Sequence, residues 1–211
     1  LLVARDALLL LTWPFRRSTG RQRKIFYGHK EKKPASGFWA FTLVLLALAL
    51  SGYGMREALR VPPVREVRMQ VPGLPDALNG FRIAQLSDLH IGPTFGKAWL
   101  TDVVARTDSL NPDLIVITGD VVDGSPSRLE EDVAPLADLK AKYGVIFAPG
   151  NHEYYSGIQQ WLPVFQRLGM HVLMNENTQI RVNGTPLAIA GVTDTAALNW
   201  GLEGPDPEKA L

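Results

Sequence analysis

Three apolar runs, each ending in polar side chains able to hold a cation, recur at nearly equal spacing. The run from Phe81 to Leu86 leads into Ser87-Asp88-Leu89-His90. Leu114-Ile115-Val116-Ile117-Thr118 leads into Gly119-Asp120. Val145-Ile146-Phe147-Ala148 leads into Pro149-Gly150-Asn151-His152-Glu153. Asp88 and Asp120 are 32 positions apart, and Asp120 and Asn151 are 31 apart. That is the length of a strand, a crossover helix and the next strand. Parallel strands joined in this way end on one edge of the sheet, where open α/β folds place their ligands. The spacing therefore predicts that Asp88, His90, Asp120, Asn151 and His152 converge.

The rest of the chain fits an α/β domain around these strands. Residues 64–71 alternate apolar and polar side chains, which predicts an edge strand. Residues 97–109 carry a helical pattern through Leu100, Val103, Val104 and Thr107, stopped by Asn111-Pro112-Asp113. Residues 129–143 read as a second helix despite Pro135. Residues 158–168 read as a third, with Trp161, Leu162, Phe165 and Leu168 on one face. Short strands follow over 171–174, 178–182 and 186–192, the last two joined at Asn183-Gly184, a hairpin signal.

Ahead of this domain lies a different kind of sequence. Residues 34–55 hold no charge, and near 20 apolar residues match a hydrocarbon core of about 30 Å. Trp39 and Tyr53 stand near the ends, as interfacial aromatics do. A transmembrane helix is the expectation. The alternatives are a buried core helix and a removed signal peptide. Residues 16–33 carry eight Lys or Arg against one acid, Glu31. The positive-inside rule makes them a cytoplasmic loop at the cytoplasmic membrane, with everything after about residue 56 on the extracytoplasmic side. Residues 1–15 read equally as the last turns of a membrane helix or as a surface helix, and residues 56–63, with Pro62-Pro63, as a stiff linker. The formal net charge of +1 gives no reason to expect nucleic acid. The absence of Cys excludes disulfides and thiolate metal sites.

The converging set offers two carboxylates, an imidazole and an amide oxygen. Such donors suit Mn, Fe, Zn or Mg rather than soft copper. Two divalent ions would carry four positive charges, of which Asp88 and Asp120 cancel two, leaving a field that attracts phosphate. Asp120, on the middle strand, is placed to bridge two ions. His152 reads as an acid or charge stabiliser facing phosphate, with Glu153 holding its second ring nitrogen. Asp123 reads as a turn residue or as a partner of the ligands. Asp194 reads as a cap or turn residue rather than one facing the site.

The blocks Asp88-Leu-His90, Gly119-Asp120-Val-Val-Asp123 and Gly150-Asn151-His152-Glu153 resemble the first three signature blocks of the calcineurin-like metallophosphoesterases. With the apolar span ahead of them, they look like that family's bacterial membrane-associated branch. The resemblance covers residues 64–194. It implies that the domain from residue 64 to 211 is the first part of a metallophosphoesterase-type α/β sandwich. It implies that Asp88, His90 and Asp120 bind one metal and Asp120 and Asn151 a second. A bridging hydroxide would attack phosphorus while His152 assists the leaving group. Phosphate esters, diesters or pyrophosphates are the implied substrates, and the membrane location points to lipid-linked or envelope compounds. The family completes its site with later His-bearing blocks. Of the four His, only His90 and His152 fall in the blocks, since His29 lies in the basic loop and His171 opens a strand. The expectation is a chain cut before those blocks and inactive as written. A non-catalytic membrane module that keeps the fold is the alternative.

Overall fold

The computed structural model describes residues 36–211. The expectations for residues 1–15 and 16–33 lie outside the described residues. The chain divides into two units at Ala58.

In the first unit, helix α1 (Ser36–Ala58) runs 23 residues. At 1.5 Å per residue it is about 35 Å long, enough for a hydrocarbon core of about 30 Å. Its most apolar stretch of 18 residues has a mean hydropathy of 1.8. The Thr42 hydroxyl donates back to the Phe38 carbonyl at 2.9 Å, so its polar hydrogen is not left bare.

The second unit holds a parallel sheet of β1 (Ile83–Leu86), β2 (Leu114–Ile117), β3 (Val145–Phe147) and β4 (Met170–Val172), in that spatial order. Ile83 pairs with Leu114, Ile115 with Val145 and Val145 with Met170. Each crossover is helical: α2 (Lys97–Asp108), α3 (Pro126–Val133), then a pair, α4 (Asn151–Tyr155) and α5 (Ile158–Arg167). The near-continuous Leu, Ile and Val of β2 and β3 follow from burial on both faces. On one face Ile115, Ile117, Val145 and Phe147 meet Leu100, Val104, Leu129, Val133, Trp161 and Phe165. On the other, Leu114, Ile146 and Leu173 meet Phe81, Tyr143 and Ile189. Ile189 belongs to the antiparallel hairpin β5 (Glu176–Val182) and β6 (Thr185–Gly191). Asn183 and Gly184 turn it with φ of 48° and 87°, the two positive values a type I′ turn needs. A last short helix, α6 (Pro207–Ala210), follows.

Two expectations are corrected. Residues 64–71 form no strand. Val67 and Met69 are 67% and 80% exposed. Alternation supplies one apolar face, but a strand also needs a neighbour for its N–H and C=O groups, and none lies alongside among the described residues. The helix expected over 129–143 starts earlier and stops sooner. Pro126 opens α3 at its first turn, where a missing N–H costs nothing. Pro135 then forces the tighter turn Ala134–Asp138, and the chain leaves the helix at Leu139. Leu129, Val133 and Leu136 stay buried all the same.

Candidate metal centre

Backbone pairing continues past the strand ends and brings the polar clusters together. The Asp88 N–H donates to the Gly119 carbonyl at 3.2 Å, His90 to Asp120 at 3.0 Å and Ile91 to Val121 at 2.8 Å. Asp88, His90 and Asp120 all take left-handed backbone, with φ of 55°, 45° and 53°. Residues with a Cβ seldom do so, although Asp and His do so more than most. Three together mark strain concentrated at one place, as functional sites carry it.

The loops after β2 and β3 touch at glycine. A Cβ on Gly119 would lie 2.1 Å from the Gly150 nitrogen, and one on Gly150 would lie 2.3 Å from Asp120 Oδ1. Only glycine at both positions permits this approach. Glu153 ties the two loops from beneath. Its carboxylate is fully buried. Oε2 accepts the Asp120 and Gly150 N–H groups at 2.9 and 2.8 Å, and Oε1 accepts Val121 N–H at 2.7 Å. Burial pushes the Glu153 carboxyl above its usual range, against the pull of those three N–H groups.

Above this clamp the ligating side chains assemble. Donor atoms of His90, Asp120 and His152 lie within 4.8 Å of one another. The two imidazoles meet edge to face, 4.4 Å between centroids. Asp123 holds both: its Oδ1 is 3.0 Å from His90 Nδ1 and 2.6 Å from His152 Nδ1. A neutral ring that donates through Nδ1 keeps its lone pair on Nε2, so Asp123 sets which nitrogen of each ring is offered. The Asp123 bond holds His90 above the ordinary imidazole value, against the opposing effect of burial. Burial pushes Asp123 up, but the bonds to His90 and His152 outweigh it, and its carboxyl titrates below the usual range. Asp120 Oδ1 also accepts His152 N–H at 2.9 Å. The Asn151 amide lies against the same carboxylate, 3.1 Å from Oδ2 and 3.2 Å from Oδ1. Asp88 stands at the rim, 65% exposed, with Oδ1 3.9 Å from His90 Nε2.

The structure thus brings Asp88, His90, Asp120, Asn151 and His152 to one edge. It differs from expectation in two respects. His152 stands inside the donor group rather than apart from it. Glu153 does not hold the ring of His152: it binds backbone, and Asp123 takes the ring. Asp123 takes the second of its two expected places, as a partner of the candidate ligands. Its signal was its place three residues after Asp120, on the loop leaving β2. Asp194 caps the turn Thr195–Trp200, accepting Ala196 N–H at 2.7 Å. The donor chemistry, carboxylate and imidazole with one amide, fits a divalent ion of the Mn, Fe, Zn or Mg kind.

Comparison with known proteins fits this geometry. The model of the family described as calcineurin-like phosphoesterase matches residues 81–201. The chain belongs to this family. It is 37% identical over 189 residues to a Danio rerio protein named transmembrane protein with metallophosphoesterase domain, covering 86% of this chain and 43% of that one. It is 32% identical over 166 residues to an uncharacterized metallophosphoesterase of Campylobacter jejuni, covering 78% of this chain and 42% of that protein. A Helicobacter pylori metallophosphoesterase is 30% identical over 188 residues, covering 89% and 49%. The chain therefore spans less than half the length of these curated relatives. Among the described residues, one helix is apolar and long enough to cross a membrane, and the Danio rerio relative is named a transmembrane protein.

Proposed function

We propose that the protein is a membrane-anchored, dinuclear metal-dependent hydrolase of phosphate ester, diester or pyrophosphate bonds. The observation that carries this reading is the meeting of His90, Asp120 and His152 with Asp123 behind both imidazoles. Asp88, His90, Asp120, Asn151 and His152 would hold the ions. Bound there, divalent cations supply positive charge and Lewis acidity toward a phosphoryl group. The protein's own part is positional and protonic. Glu153 and the glycine contact fix Asp120 against the β3 loop. Asp123 keeps Nδ1 of both rings engaged, so Nε2 of His90 is available as a ligand. The neutral His152 ring can then bind an ion through Nε2, and the protonated ring can give its Nε2 proton to the departing oxygen.

Residues 16–33 lie in the cytoplasm in this reading, because their basic excess resists translocation. The domain then works outside the cytoplasmic membrane, where lipid-linked and envelope phosphodiesters are within reach. A reporter fused after Gly73 that is active only in the cytoplasm would reverse this orientation. For the chemistry, the full-length protein in detergent is assayed with manganese and bis-p-nitrophenyl phosphate beside Asp120→Asn. A rate lowered by at least about tenfold is expected, since even a partner behind the ligands of a metal site is worth about 10–100-fold. Equal rates would remove Asp120 from the mechanism.

A further inference from the structure

Next to Asn151 the surface sinks into a cleft of about 290 Å³, lined by Asn151, Tyr155, Asp194, Thr195, Ala196 and Asn199. Its walls are α4 and the turn Thr195–Trp200. Beneath them Tyr154, Ile158, Ala196 and Ala197 form a buried cluster, so the two walls are packed on each other and the cleft is preformed. Helix α4 carries the candidate ligand Asn151, the imidazole of His152 and the cleft residue Tyr155 within five residues. The Tyr155 ring is 5.5 Å from that imidazole, centroid to centroid, and is 57% exposed. The cleft is thus continuous with the cation cluster.

Its chemistry differs from that of the cluster. The Asn199 amide, a hydroxyl, a phenol and an aromatic face line it beside the candidate ligand Asn151, and none of its described lining residues is Lys or Arg. The one charge is the Asp194 carboxylate, which is occupied in part by Ala196 N–H. Amides and hydroxyls both give and accept hydrogen bonds, which matches an array of alcohol groups. A second phosphate or a carboxylate would meet the Asp194 carboxylate, and no Lys or Arg among the lining residues offsets that repulsion. The volume, at the small end of ligand pockets of roughly 300–1,000 Å³, suits a small polar group.

The geometry points to a subsite for the alcohol portion of the substrate: a neutral, polyhydroxylated group of glycerol to hexose size, esterified to the phosphate held at the cluster. The inference rests on the phosphoesterase reading and narrows it to diesters whose bound alcohol is a polyol.

The test separates binding from turnover. Full-length protein loaded with manganese is titrated in a calorimeter with two anions of equal charge that have P–C bonds in place of both ester bonds, methyl(3,4-dihydroxybutyl)phosphinate and ethyl(methyl)phosphinate. The dihydroxybutyl compound, which mimics a glyceryl ester, is expected to bind about tenfold tighter, the effect of one or two net hydrogen bonds. In Tyr155→Ala and in Asn199→Ala that ratio should fall toward one, while manganese EPR shows the ion still bound. Equal affinities in the unaltered protein, or a ratio retained in both variants, would overturn the subsite. Failure to hydrolyse any diester would instead count against the phosphoesterase reading, because the two binding constants do not depend on turnover.

Discussion

Glu153→Gln removes half of the clamp under the site at almost no change in volume. Glu153 Oε2 serves two N–H donors and Oε1 serves one. The amide oxygen of Gln can keep the pair from Asp120 and Gly150. Its NH2 then faces Val121 N–H, donor against donor, in a site with no exposure. An unpaired buried donor costs about 1–3 kcal/mol, and the two remaining bonds lose their charge assistance. Neutralising a buried carboxylate gives some of this back, since burial already pushes Glu153 upward. The balance is a loss of about 2 kcal/mol. For a domain of this size that lowers Tm by roughly 4–8 °C. Glu153→Ala strips all three acceptors and opens a void, so its loss is larger. Scanning calorimetry of the detergent-solubilised protein reads both. If both variants melt within about 1 °C of the parent, a shift worth well under 1 kcal/mol, the clamp is not structural.

Other consequences concern the loops and the imidazoles. Gly150→Ala places a Cβ 2.3 Å from Asp120 Oδ1. It should cost about 1–3 kcal/mol in a urea titration, and manganese affinity measured by EPR should fall with it; normal affinity would mean the β3 loop relaxes freely. His90 is held above its ordinary value of about 6.5 by Asp123. A raised imidazole pKa stabilises the fold fully below that ordinary value, and the gain fades as pH rises through the raised one. Coordination needs the neutral ring, so manganese binding should tighten through the same window. Asp123→Asn should move the binding midpoint to lower pH and weaken the plateau by about 10–100-fold. An unmoved pH profile would show that Asp123 does not tune the imidazole.

The parallel core was legible because each of its signals was local. Mostly apolar runs of four to six residues, turn residues and a spacing near 32 specify strand, helix and strand without knowledge of the rest. Helix α2 emerged within one residue of its expected end for the same reason. Residues 64–71 misled because pairing belongs to the sheet as a whole and not to the segment. The helix over 129–143 misled because two prolines act differently, Pro126 as a start and Pro135 as a stop. The convergence of Asp88, His90, Asp120, Asn151 and His152 followed from topology. The division of labour between Glu153 and Asp123 did not. It depends on which of two neighbouring carboxylates turns into the core, and that is decided by the glycine contact between loops from distant parts of the chain.

The central measurement is anomalous diffraction from crystals of the protein grown with manganese. A peak in coordinating contact with Asp120 and with Nε2 of His90, its Nδ1 on Asp123, is the expected result. Density for the ordered domain with these side chains apart and no peak between them, at manganese concentrations in the millimolar range, would contradict a shared cation site.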